Sequence, residues 1–227
     1  MSKNTPAKDI RVQGIVLRRV NYGEADRILT IITPIGKISA IVKGVRKAKS
    51  RLAGGVEMFT VADLNLHQGR GDMYTVTGAR MLEHYEKILK DYDKTMLAGK
   101  ILKRVAAAES LDDEKYFLIT RACLAELAKD ETDIKLIEAW FLINITEIIE
   151  PINLYRDVSG TTLSANEKYE WDIIEKAFRL SPYGQYAAPE IKFLRLLITS
   201  DLTVIKRIKV NEEIIQRIYD FTRINSG

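Results

Sequence analysis

The sequence predicts an α+β protein in which a small five-stranded β-barrel precedes a bundle of α-helices. In residues 11–80 apolar and polar positions alternate and β-branched side chains are common, as in half-buried strands. After Met81 the apolar positions recur with the period of an α-helix. The predicted barrel domain covers residues 1–82, and the predicted helical domain covers residues 83–227.

Five short segments of the first domain are predicted to be strands, and Gly, Pro or Asn occurs in the turns between them. None of the connections is long enough for the helix of a parallel crossover, so an antiparallel barrel is expected. The segments are RVQGIVLRRV, DRILTIIT, KISAIVKGV, MFTVADLNLHQ and MYTVTGARML.

Helical periodicity marks five later segments, of which the third is apolar on almost all sides and is expected at the centre of the bundle. Asn211 is a suitable N-cap for the last segment. The predicted helices cover residues 89–105, 112–129, 133–149, 190–199 and 211–224. The first is expected to bury a face made of Leu89, Tyr92, Met96, Leu97, Ile101 and Val105.

The least regular part of the sequence is residues 151–189. It begins at Pro151, which ends the central helix, and it contains Gly160, Pro182 and Gly184. Only residues 171–178 are compatible with a short helix there.

Positive charge is concentrated in the first domain. Residues 1–80 hold 14 Lys and Arg against 6 Asp and Glu, whereas the remaining residues hold 21 against 25. The densest run is KGVRKAKSR, residues 43–51, with no carboxylate. The electric field of this concentrated positive charge attracts a polyanion, with nucleic acid as the first candidate and an anionic membrane surface as the second. A solvated loop that only maintains solubility is the alternative. The cations are Lys43, Arg46, Lys47, Lys49 and Arg51.

Other side chains of the first domain extend this basic loop into a longer track. Tyr22, in a turn beside Gly23, is predicted to stack on bases, whereas Phe59 is predicted in the core. Arg27 has a second interpretation, a short-range ion pair with Glu24 or Asp26. The additional candidates are Arg18, Arg19, Arg27, Arg70, Arg80 and Tyr74. Binding of this kind carries little base information, so it is expected to be independent of sequence.

The sequence offers little for catalysis. Cys123 is the only cysteine, and with His67 and His84 it gives too few soft ligands for zinc. Cys123 lies on an apolar helical face and is predicted to be a buried thiol. Gly36-Lys37 lacks the upstream glycine of a phosphate-binding loop. We therefore predict no enzyme, no metal and no cofactor.

Paired carboxylates are the remaining catalytic candidates. Asp112 with Asp113 fits a helix start, Asp91 with Asp93 fits an exposed face, and Glu24 with Asp26 fits a hairpin. A metal-dependent hydrolase at Glu24 and Asp26 is the alternative. The chain lacks an apolar run that could cross a bilayer and an apolar N-terminal signal, so a cytoplasmic location is expected.

Six motifs in the first domain occur in a definite order: GIVL from Gly14, YGEADR from Tyr22, GK from Gly36, KG from Lys43, KSRL from Lys49 and GRGD from Gly69. With these motifs, residues 10–82 resemble the N-terminal domain of the bacterial RecO family of recombination mediators. Beyond residue 82, only the order of the helices and Pro151 after the central helix resemble the family.

The resemblance implies an OB-fold barrel followed by a helical bundle, and a non-enzymatic role in recombinational repair near the nucleoid. Members of the family bind single- and double-stranded DNA, anneal complementary strands and contact the acidic C-terminal tail of single-stranded DNA-binding protein (SSB). With RecR they help to load RecA. The resemblance assigns DNA contact to the basic loop, the same residues that the charge pattern indicates.

Two expectations follow for the helical domain. A tail-binding pocket requires a basic rim on an apolar groove, for which the candidates are Lys100, Lys103, Arg104 and Arg121. Many family members also bind zinc through four cysteines after the central helix, whereas residues 153–189 here contain neither cysteine nor histidine. This segment must be packed by side chains such as Tyr155, Trp171, Ile174 and Phe178, or else be mobile.

One competing function remains, that of an RNA-binding or ribosome-associated OB-fold protein. It differs mainly in whether the protein senses the 2′-hydroxyl group of the nucleic acid.

Overall fold

A computed structural model describes residues 8–69, 71–109 and 111–226 of the protein. By its own contacts the chain divides into two compact units, the first ending at Asp130 and the second beginning at Glu131. A domain boundary after residue 82 remains a prediction.

The first unit contains the predicted five-stranded barrel. Its strands are β1 (Lys8–Tyr22), β2 (Asp26–Thr33), β3 (Gly36–Val42), β4 (Thr60–Gln68) and β5 (Tyr74–His84). They close in the order β1-β2-β3-β5-β4, with β1 paired to both β2 and β4. This five-stranded closed barrel confirms the predicted OB-fold. One detail differs from the antiparallel prediction: β3 and β5 pair in parallel, at Ala40–Tyr74 and Ile41–Thr75.

The barrel interior is filled by side chains that alternate along the strands, as the period-2 pattern predicts. Gly14 is required where β1 passes over this core, because a Cβ there would lie 2.6 Å from Ile31 Cγ2. Phe59 is buried, as predicted. The core comprises Val16, Leu29, Ile31, Ile38, Ala40, Val42, Val45, Val56, Ala62, Leu64, Leu66 and Val76.

Two helices, α1 (Tyr92–Ala107) and α2 (Asp113–Leu127), complete the first unit and contact strands of the barrel. Asp91 and Asp112 cap them, each accepting a hydrogen bond of 3.1 Å from a backbone N–H in the first turn. Cys123 on α2 is fully buried, which raises the pKa of its thiol and confirms the predicted structural role.

The predicted buried face of the first helix is wrong at its start. Leu89, Tyr92 and Met96 are exposed, whereas α1 buries Leu97, Ala98, Ile101, Leu102 and Val105. The helix begins at Tyr92 after the cap at Asp91, so Leu89 falls in a separate 3₁₀ turn, Glu86–Lys90. Within α1, at 100° per residue, Tyr92 and Met96 lie on the side opposite Ile101.

The second unit is mainly helical. It contains α3 (Ile134–Ile149), the strands β6 (Tyr169–Asp172) and β7 (Ala177–Leu180), and the helices α4 (Ala188–Thr199), α5 (Leu202–Ile205) and α6 (Glu212–Asn225). Helix α3 packs against α4 and α6. Asn211 caps α6 as predicted, accepting a hydrogen bond of 2.8 Å from the Ile214 N–H. No helix in the described ranges has the length and apolar character of a membrane span.

Residues 171–178 form a β-hairpin, so the short helix considered for them is wrong. Asp172 accepts hydrogen bonds of 3.0 Å from the N–H groups of Ile174 and Glu175, which closes the turn between β6 and β7. Lys176 adopts φ 46°, a left-handed conformation that also belongs to a turn.

An aromatic cluster holds this hairpin in the second unit. The ring of Trp171 lies 5.0 Å from that of Phe178 and 4.7 Å from that of Phe221, and its Nε1 donates to Asn225 Oδ1 (2.9 Å). Packing by Trp171 and Phe178 is therefore as expected. Ile174 is 91% exposed, so it does not help to pack this segment, which corrects the prediction for that residue.

Candidate nucleic-acid interface

The basic loop, residues 43–51, is fixed at its beginning to the turn between β1 and β2. The Gly44 N–H donates to Asp26 Oδ1 (2.7 Å), and the Arg46 N–H donates to the Ala25 carbonyl (2.9 Å). Gly44 has φ +65°, a left-handed conformation that glycine adopts without strain. Val45 is only 3% exposed and belongs to the barrel core. Asp26 therefore anchors the loop, which is a structural role.

The rest of the loop folds into turns that direct its cations outward. The Lys47 N–H donates to the Gly44 carbonyl (3.1 Å), and the Ser50 N–H donates to the Lys47 carbonyl (3.0 Å). All five cations of the loop are exposed, and none forms an ion pair within the described residues. Arg46 donates to the neutral Gly23 carbonyl (3.2 Å), which leaves its charge uncompensated. The loop thus presents five uncompensated positive charges on one short segment.

Tyr22 lies beside this loop. It ends β1, opposite Asp26 on β2, and its side chain is 56% exposed. The next residue, Gly23, holds the Arg46 guanidinium. The exposed ring of Tyr22 thus precedes by one residue the carbonyl that accepts from Arg46, whereas Tyr74 packs against the barrel core.

We expect Tyr22→Ala to weaken binding of single-stranded DNA by about fivefold, because one base would lose a stacking partner worth about 1 kcal/mol. Fluorescence anisotropy with an oligonucleotide measures the change. Tyr22→Phe is the matched control, since it keeps the ring and should bind like the parent. Equal losses in both variants would mean that the hydroxyl, not stacking, is responsible.

Arg19 and Arg27 are brought together by Glu57, which sequence reasoning missed. Arg19 forms an ion pair with Glu57, and Arg27 Nη1 lies 3.4 Å from Glu57 Oε1. Arg27 Nε also donates to Asn21 Oδ1 (3.3 Å). The predicted pairing of Arg27 with Glu24 or Asp26 is therefore wrong.

A second carboxylate compensates another pair of arginines on the barrel. Asp63 on β4 binds Arg11 on β1, and Arg80 Nη2 on β5 lies 3.3 Å from Asp63 Oδ2. The hydrogen bond from Arg11 is the main reason that the pKa of Asp63 is lowered. Arg18 is exposed and forms no ion pair in the described part of the chain. Arg70, another predicted contact, lies outside the described residues.

The four cations predicted for a partner groove have different surroundings. Lys100 and Lys103 are exposed on α1, and Arg104 on the same helix is half-buried. Arg121 on α2 is engaged by Glu83 on β5, with Nε 3.3 Å from Oε2. Burial alone would raise the pKa of Glu83, but hydrogen bonds from Arg121 and Tyr85 outweigh it, so the pKa is lowered.

Glu83→Gln is expected to destabilise the first unit at pH 7. The expected loss is less than about 1 kcal/mol, because the side chains of Glu83 and Arg121 are both partly exposed and their interaction is screened by solvent. A carboxylate with a lowered folded-state pKa stabilises above its ordinary value of 4.5, and this stabilisation is lost as the pH falls through the folded-state pKa. Denaturant unfolding should therefore show a smaller parent–variant difference at pH 3 than at pH 7. A difference that stayed constant with pH would contradict this origin.

The zinc ligands of the resembled family have no counterpart here. Among the described residues no group of three or more His, Cys, Asp or Glu side chains is placed to hold a metal. The segment after α3 contains neither of the soft ligands that a structural zinc site uses.

Residues 8–85 match the protein family described as "Recombination protein O N terminal". A protein named DNA repair protein RecO from Dehalococcoides mccartyi strain 195 is 26% identical over 231 residues, which span 97% of this chain and 90% of that protein. A protein of the same name from Alkaliphilus metalliredigens is 29% identical over 216 residues, 89% of this chain and 86% of the relative. In Heliobacterium modesticaldum such a protein is 46% identical over 82 residues, 36% of this chain and 30% of the relative.

Proposed function

We propose that this protein mediates recombinational DNA repair, because residues 8–85 match the family "Recombination protein O N terminal" and 97% of the chain is similar to a protein named DNA repair protein RecO. In this role it binds single- and double-stranded DNA without sequence specificity and carries out no catalysis. The observation that supports this most directly is the basic loop, whose five exposed cations have no carboxylate partner in the described residues.

The chemistry of such a loop suits annealing of complementary strands. Two strands repel one another through their phosphates, and a cationic surface that holds both reduces this repulsion. Ammonium and guanidinium groups contact the backbone, so the bases remain available for pairing. DNA contacts are assigned to Lys43, Arg46, Lys47, Lys49, Arg51, Arg18, Arg19, Arg27, Arg70 and Tyr22.

The proposal includes partner proteins, which extend the DNA-binding role. The SSB C-terminal tail is acidic, and Lys100 and Lys103 on α1 present exposed cations beside the exposed apolar side chains of Tyr92 and Met96. With RecR, the protein would help to load RecA on SSB-coated DNA. The expected location is the cytoplasm, at the nucleoid during repair.

Annealing tests the function directly. Two complementary oligonucleotides carrying a donor and an acceptor fluorophore should anneal faster in the presence of the protein, first bare and then coated with SSB. Pull-downs with SSB, with SSB lacking its last residues and with RecR test the partners. Failure to bind DNA or to accelerate annealing at low salt would overturn the proposal, and tighter binding of a matched RNA would favour the RNA-binding alternative.

A further inference from the structure

The arginines of the barrel differ in whether they already form an ion pair with a carboxylate. The cations of the basic loop are uncompensated, whereas Arg19 and Arg27 share Glu57. A carboxylate that bridges two guanidinium groups occupies the position that a phosphate would take, because both anions accept the same paired N–H donors.

The Glu57 cluster (Arg19, Arg27, Glu57) lies next to the basic loop. Arg27 pairs in register with Val42, the last residue of β3, and the loop begins at the following residue. Arg19 and Arg27 lie on adjacent strands, where Arg19 pairs with Leu29 and Asn21 pairs with Arg27. A nucleic acid that follows the loop would therefore reach this cluster next.

The contacts of Glu57 would allow another anion to displace its carboxylate. Its side chain is 39% exposed, and within the described residues its hydrogen bonds go only to the two arginines. Arg27 has a second contact, to Asn21 Oδ1, that would keep its guanidinium in place when the carboxylate leaves. Arg27 is thus held in position whether a carboxylate or another anion lies between the two arginines.

We infer that Arg19 and Arg27 form a phosphate subsite that Glu57 occupies in the free protein, so that a backbone phosphate of DNA must displace the carboxylate. The inference rests on the proposed DNA-binding function. Glu57 would then compete with DNA for the two arginines. Weak or short polyanions bind the loop alone, whereas a strand that extends beyond the loop also displaces Glu57 and gains two arginine contacts.

Glu57→Gln tests the inference, because it keeps the shape and removes the charge. We expect about tenfold tighter binding of a single strand. The salt slope should be steeper by about 0.7, the value for one phosphate, because in the parent the displaced carboxylate takes up a counterion that offsets the one released at this subsite. The matched control is Asp63→Asn, which removes the same charge from the Arg11–Arg80 pair; Arg11 lies about 26 Å along β1 from Arg19. This control should change affinity less than twofold.

A second comparison separates local displacement from the general field. In an Arg19→Gln/Arg27→Gln background, Glu57→Gln should give no more than the change seen for Asp63→Asn. Two outcomes, with a parent that binds DNA, would show that the inference is wrong while the proposed function stands. In one, Glu57→Gln gains no more affinity than the control; in the other, it keeps its gain in affinity in the Arg19→Gln/Arg27→Gln background. If the parent does not bind DNA at all, the proposed function itself fails.

Discussion

Replacing Lys43, Arg46, Lys47, Lys49 and Arg51 together with glutamine is expected to weaken binding of single-stranded DNA by about a hundredfold or more near 0.1 M salt. Each of these exposed side chains is free to neutralise one phosphate and release a counterion. Five such contacts give a slope of about −3.5 in log affinity against log salt, and the variant should lose most of that slope. Anisotropy titrations over a salt series measure both quantities.

The control for this experiment is a variant with the same change in net charge elsewhere. It replaces five other exposed cations, which form no ion pair in the described part of the chain, with glutamine. These are Lys90, Lys168, Lys192, Arg207 and Lys209. We expect the control to keep most of the affinity and the slope. Equal losses in the two variants would mean that net charge alone governs binding, and an unchanged loop variant would place the DNA contact on another surface.

The second large effect is expected at Phe178. This side chain is fully buried, and its ring contacts those of Trp171 and Phe221. Phe178→Ala should destabilise the second unit by about 3–5 kcal/mol, because it removes the transfer free energy of the ring and leaves a cavity. Denaturant unfolding, together with limited proteolysis of residues 151–187, measures the effect.

Ile174→Ala in the same hairpin is the matched control, since Ile174 is 91% exposed. A surface substitution of this kind should change stability by less than about 0.5 kcal/mol. A chelator should leave the unfolding midpoint of the parent unchanged, because aromatic packing rather than a metal holds the segment. An equal loss of unfolding free energy in the two variants, or an unfolding midpoint lowered by the chelator, would contradict this account.

The features that the sequence predicts correctly are those encoded locally. The strands of the barrel follow from alternation within each segment, and Asn211 as the cap of α6 follows from residues that are neighbours in the chain. The basic loop is contiguous, so its charge is visible without a fold. The start of α1 shows the limit of this reasoning, because one capping aspartate separates Leu89 from the buried face.

The features that were missed depend on distant residues. The hairpin of β6 and β7 has strands of four residues, and its packing depends on Phe221 in a helix that follows much later. The parallel pairing of β3 with β5 is likewise set by closure of the whole barrel. Glu57 lies far in sequence from Arg19 and Arg27, so no local pattern could associate the three.

The anchoring of the loop at Val45 and Gly44 has a consequence for association kinetics. Because folding of the barrel already fixes the start of this segment, a docking strand restricts little additional backbone motion there. The conformational entropy lost on complex formation then comes mainly from lysine and arginine side chains and from the nucleic acid. Such preorganisation favours a rapid, diffusion-controlled encounter whose rate falls with ionic strength.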